Sequence, residues 1–171
     1  MRGGYETSVT GTGAFDDIID DVDSPIYIVT TASCGETAGC LVGFATQCSI
    51  EPVRFGVWLS KLNRTYRIAC SATTLVAHVL RVGDHEFAVR FGGETGDDVD
   101  KFDGIDWRPG PDGCPVLAGL DWFAGSIVVR FDTGDHVAFV LAPIDGECAR
   151  RGVAQLTYDD ISDVDAGHPI D

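Results

Sequence analysis

The sequence contains no run of about eighteen apolar residues of the kind that crosses a bilayer as a helix. Met1 to Gly13 is polar and Gly-rich and lacks the apolar stretch of a signal peptide, so the expectation is a cytoplasmic protein without a membrane partner. Basic charge is scarce: 12 lysines and arginines stand against 27 acidic residues, for a formal net charge of -15, and only Lys61 and Lys101 are lysines. Such a field repels polyanions and acidic membrane surfaces, which disfavours nucleic acid as a partner. It fits a salt-adapted proteome and a merely acidic one alike. The six cysteines, at 34, 40, 48, 70, 114 and 148, form no Cys-x-x-Cys pair and no Cys/His spacing typical of zinc, so no metal site is expected. They read as mostly buried, reduced thiols, although Cys34 and Cys40 flank a turn. No Ser/His/Asp or Cys/His arrangement stands at recognisable spacing, which leaves hydrolysis without support.

What is present suits one domain: 171 residues, 44% of them hydrophobic, can bury a single core. Phe15, Ile18, Ile19 and Val22 recur at i, i+3, i+4 and i+7, which predicts a short amphipathic helix over Ala14 to Val22 with its aspartates solvated. Ile26 to Thr31 and Gly39 to Gly43 read as a hairpin about Cys34-Gly35-Glu36-Thr37. Phe55 to Leu59, apolar on both faces, reads as a strand inside the core. Asn63 is a candidate N-cap for a helix to Ala72, with Arg64 and Arg67 outside and Ile68, Ala69 and Ala72 inside. Leu75 to Leu80 predicts a strand, Glu86 to Phe91 a short helix, and Gly92 to Asp100 a loop. Three prolines make Lys101 to Leu117 irregular. Trp122 to Phe131 and Val137 to Ile144 predict a long antiparallel pair about Asp132-Thr133-Gly134-Asp135. Residues 158–171 form an acidic tail that packs loosely or crosses to a partner. Strands dominate without a βαβ rhythm, so the expected fold is mainly β, an antiparallel barrel with a few short helices.

Candidate chemistry concentrates where the Phe55 to Leu59 strand gives way to a helix. Ser60, Lys61, Asn63, Arg64 and Thr65 bring hydroxyls, two cations and free backbone N–H groups to one turn, a composition that suits a dianionic phosphate. Plain helix capping, with Lys61 and Arg64 solvated, explains the same residues, and spacing alone does not choose.

Three successive stretches resemble the signatures of the flavin reductase-like family. They are Gly39-Cys40-Leu41-Val42-Gly43-Phe44-Ala45-Thr46-Gln47-Cys48-Ser49-Ile50-Glu51-Pro52, then Ser60-Lys61-Leu62-Asn63-Arg64-Thr65, then Gly134-Asp135-His136. The resemblance runs from about Asp16 to about Ala142. It implies an FMN-binding split barrel that forms a homodimer, with FMN (or FAD) as flavin and NADH or NADPH as reductant. By position, Leu41, Val42, Gly43, Phe44, Thr46 and Ser49 would line the isoalloxazine and ribityl chain, partly through backbone groups. Ser60, Lys61, Asn63, Arg64 and Thr65 would hold the phosphate, and His136 would orient the nicotinamide as the candidate catalytic residue. The sequence departs from the family pattern at Gly43 and Phe44, where small hydroxyl residues are common, and at Val53, where a second proline is common.

Phe91 is expected beside a flexible loop at the flavin mouth, covering a ring face. Phe91 to Gly96 is Gly-rich but follows no strand, which excludes a Rossmann fingerprint. His78 reads as a core residue, and His85 and His168 as surface. Trp107 and Trp122 are of a type that touches flavin, but barrel or interface packing explains them without that role. The resemblance implies an NAD(P)H-dependent flavin reductase that passes hydride from nicotinamide to FMN and supplies reduced flavin to a partner monooxygenase. A non-catalytic FMN-binding flavoprotein or electron-carrier subunit, and a barrel that has lost flavin, stand as alternatives.

Overall fold

β-Branched runs separated by glycine turns fold into one seven-stranded antiparallel sheet in the computed structural model, which describes residues 12–164 and 167. The helices are α1 (Thr12–Asp20), α2 (Arg64–Ala69) and α3 (His85–Gly92). The strands are β1 (Tyr27–Ser33), β2 (Glu36–Val42), β3 (Ala45–Ile50), β4 (Val53–Ser60), β5 (Thr74–Val79), β6 (Trp107–Pro109), β7 (Pro115–Leu117), β8 (Asp121–Asp132) and β9 (His136–Glu147). The sheet order is β2-β1-β5-β8-β9-β4-β3, and β6 and β7 pair separately as a short ribbon.

Local chemistry explains the turns. Cys34 and Gly35 both take positive φ, 53° and 80°, which closes the β1–β2 hairpin in two residues with the twist its strands need. Although β2 and β4 lie far apart in strand order, Val29, Cys40, Val57, Leu59, Leu75 and Phe139 share one buried cluster. The sheet therefore curls around its own core. A second cluster, including Ile28, Leu80, Phe91, Phe102, Leu120 and Ile161, lies under α3 and the C-terminal segment.

Several expectations are corrected. Beyond the expected Gly39 to Gly43 strand lies one that was not expected: β2 runs to Val42, Gly43-Phe44 connects, and β3 begins at Ala45. Its polar residues concealed an edge strand, whose outer face needs no apolar side chains. The irregular stretch before Leu117 contains the β6–β7 ribbon, with Pro109 opposite Pro115 where neither needs to donate. Four cysteines are exposed and only Cys40 and Cys114 are buried; all six are free. The tail packs closely as far as Val164, with Ile161 buried and Tyr158 N–H donating to the Ser24 carbonyl at 2.9 Å. His168 and residues 1–11 fall outside the described residues. No helix among the described residues is long and apolar enough to cross a membrane.

Candidate functional site

β4 carries Ser60 to the end of the sheet, directly across from His136 at the start of β9. The next residue ties two turns together: Lys61 N–H donates to the Asp135 carbonyl at 2.9 Å, and its ammonium lies 2.6 Å from Asp132 Oδ2. The Lys61 hydrogen bond, followed by the Gly134 N–H, holds the Asp132 carboxyl below the usual carboxylate range. Asp135 behaves likewise, because His136 Nδ1 lies 2.9 Å from its Oδ1. In the hairpin turn Asp132 Oδ1 accepts the Gly134 N–H at 2.9 Å.

The His136 imidazole meets the Phe44 ring edge-on with centroids 5.2 Å apart. Phe44 is 62% exposed, and its carbonyl accepts the Trp58 N–H at 2.9 Å, which fixes the Gly43-Phe44 connection against β4. On the other side of that connection, a Cβ placed on Gly43 would stand 3.3 Å from the Tyr158 ring. Tyr158, Gly43, Phe44 and His136 thus form a continuous, largely open aromatic surface beside Ser60 and Lys61. Tyr158 carries no sequence signal for this role, since only the folded tail brings it here.

Asn63, Arg64 and Thr65, on the same turn as Ser60 and Lys61, line a cavity of about 470 Å³ bounded also by Glu36 to Gly39 and by Gly96 to Phe102. Arg64 reaches Glu36 Oε2 at 2.7 Å and the Gly96 carbonyl at 3.4 Å. Arg67 pairs with Asp97 and donates to the Leu62 carbonyl at 3.2 Å. Asn63 precedes α2 in an extended conformation but makes no side-chain cap. Thr65, expected to reach a phosphate, is 2% exposed, and its hydroxyl meets the Cys40 thiol, whose pKa burial pushes up. Lys101 is buried at the cavity wall, donates to the Phe91 carbonyl at 2.8 Å, and has its pKa pulled down by desolvation.

The expected ring-side residues divide in the same way. Val42 is buried in the core, leaving only its backbone for a ligand, and Leu41 is half-buried against the cluster under α3. Thr46 and Ser49 lie on β3 at the sheet edge, and Ser49 pairs opposite Arg54, about 20 Å along β4 from Ser60. Phe91 is the clearest correction: its ring is 1% exposed, packs on Phe102, and has no free face for a cofactor. It belongs to α3, where the apolar side of the helix meets the core.

The flavin reductase like domain family matches residues 19–165. The chain belongs to this family. A ferric-chelate reductase (NAD(P)H) from Archaeoglobus fulgidus is 30% identical over 138 residues, which cover 79% of this chain and 81% of that one. A probable flavin reductase from Rhizobium meliloti is 31% identical over 117 residues, 66% of this chain but only 37% of that protein. Among solved structures, a flavin reductase domain protein from Arthrobacter sp. FB24 superposes with a TM-score of 0.77 at 22% identity, covering 87% of this chain and 91% of that one. Flavin reductase HpaC complexed with NADP+ superposes with a TM-score of 0.76 at 21% identity, covering 87% and 94%.

Proposed function

We propose that this chain is an NAD(P)H-dependent flavin reductase that binds FMN, or FAD, across the Gly43-Phe44 connection with the phosphate toward the turn that carries Ser60, Lys61 and Arg64. The observation that carries the reading is the convergence of Phe44, Ser60, Lys61 and His136, which come from three separate sequence stretches, on one end of the β4–β9 pair. The fit to a flavin rests on the same surface. Gly43 lets the Tyr158 ring close against the connection, β3 ends the sheet without a partner strand on its outer edge among the described residues, and Lys61 supplies a cation beside the Ser60 hydroxyl.

Flavin bound there supplies a two-electron acceptor for a nicotinamide hydride, chemistry that depends on stacking and orientation more than on an acid or base. The chain's own residues set that orientation. Phe44 offers an apolar ring, and His136, held by Asp135, presents an imidazole beside it. Lys61 and Ser60 anchor the charged end. A homodimer and a partner monooxygenase belong to this proposal; relatives include a flavin-dependent monooxygenase reductase subunit, HsaB, from Mycobacterium tuberculosis.

An anaerobic titration tests it. Flavin added to the protein and then mixed with NADH or NADPH is expected to lose its visible absorbance within seconds. Bound flavin that neither nucleotide reduces would instead favour a carrier that holds FMN without using nicotinamide.

A further inference from the structure

The cations around the candidate phosphate end do not stand free. Lys61 lies 2.6 Å from Asp132, Arg64 lies 2.7 Å from Glu36, and Arg67 pairs with Asp97. The three carboxylates come from three different places: the end of β8, the start of β2, and the loop after α3. Each cation therefore meets a dianion already neutralised, and Asp135 beside His136 and Asp98 and Asp100 at the cavity wall add further negative charge. These pairs lie at the surface, where one ion pair is weak enough to yield to a competing anion. Yielding does not remove the carboxylate, which stays close to any phosphate that takes its cation. Two charges a few ångströms apart still interact appreciably at low salt.

We propose that Asp132 and Glu36 set the affinity for the flavin phosphate by holding Lys61 and Arg64, so that flavin exchanges with solvent as a substrate. This rests on the phosphate assignment made above. Neutralising either carboxylate should tighten binding of the phosphorylated flavin specifically, moving the protein toward one that retains its flavin.

The isosteric variants Asp132→Asn and Glu36→Gln test this by equilibrium fluorescence titration with FMN and with riboflavin, at low ionic strength. An asparagine at 132 keeps an oxygen to accept the Gly134 N–H, so the turn survives. Glu36→Gln probes a separate pair and keeps the test open if the turn does not. Glu147→Gln, at the far end of β9, controls for net charge. FMN is expected to bind the wild type more tightly than riboflavin does. Each site variant should tighten FMN about three- to tenfold and leave riboflavin unchanged, while the control changes neither. If the wild type prefers FMN but both site variants bind it no more tightly, or if Glu147→Gln tightens it equally, the carboxylate role is wrong and the phosphate site stands. If the wild type binds both flavins equally, the phosphate assignment itself fails and this inference with it.

Discussion

His78 uses both ring nitrogens inside the core. Nδ1 lies 3.1 Å from the Ile28 carbonyl and so carries the proton, leaving Nε2 to accept the Leu117 N–H at 3.0 Å. The imidazole thereby ties β5 to the β6–β7 ribbon in its neutral form, and desolvation lowers its pKa to about 4. Because the folded value lies below the unfolded value of 6.5, its contribution is complete above about pH 6.5. It is lost as pH falls from there through about 4, and amounts to roughly 3 kcal/mol across the window. The thermal midpoint should fall on acidification from pH 6.5 to 4, and His78→Gln, which cannot titrate, should be less stable but flatter over that range. A wild-type midpoint that stays level there would remove this account. At Lys61, substitution by alanine should weaken FMN by about tenfold and riboflavin far less, since a charge-assisted hydrogen bond contributes on the order of 1.5–3 kcal/mol and Asp132 offsets part of it. Equal weakening of both flavins in the same titration would reject a phosphate contact for this residue.

Among the elements, the turn beyond β9 hangs on Asp121. Its carboxylate is 2% exposed and accepts the N–H groups of Ala149 and Arg150 together with two bonds from Arg81. Burial alone would raise its pKa, but the Arg150 N–H and the Arg81 side chain outweigh it and hold the group ionised. Asp121→Ala leaves Arg81 without its buried partner and should destabilise the fold by about 3 kcal/mol or more, measured by urea unfolding. Nothing in the sequence near Asp121 marks it, because its partners lie up to 40 residues away. The elements that were legible share a different property. β1, β4, β5, β8 and β9 bury β-branched or aromatic side chains that periodicity detects, and α2, though it ends at Ala69 rather than Ala72, buries Ile68 and Ala69 as predicted. β3 escaped because an edge strand exposes polar residues, and Phe91 misled because the glycine-rich stretch after it suggested an open mouth, whereas the predicted helix turns this ring into the core. The site divides similarly. Ser60, Lys61, Arg64 and His136 were visible as motifs, whereas Asp132 reaches Lys61, Glu36 reaches Arg64 and Tyr158 reaches Gly43 only through tertiary contacts.

For the whole molecule, α1 raises the question of assembly. Its sequence pattern predicts an apolar stripe facing a core, yet Phe15, Ile18, Ile19 and Val22 are each between 49% and 64% exposed. A short isolated helix is marginal in water, and most of its stability in proteins comes from burying such a stripe. The aspartates on its other face keep that side solvated, so the stripe is the surface left to be covered. In the proposed homodimer a second copy of the chain covers it. Sedimentation equilibrium should then find a dimer at micromolar concentration, and Ile18→Asp with Phe15→Asp should shift it to monomer by placing charge in the contact. The midpoint of thermal unfolding should depend on protein concentration for the wild type and lose that dependence in the double variant, since association stabilises only the folded chain. A wild type that sediments as a monomer, or a double variant that remains dimeric, would place the contact elsewhere and leave α1 as a helix without a subunit partner.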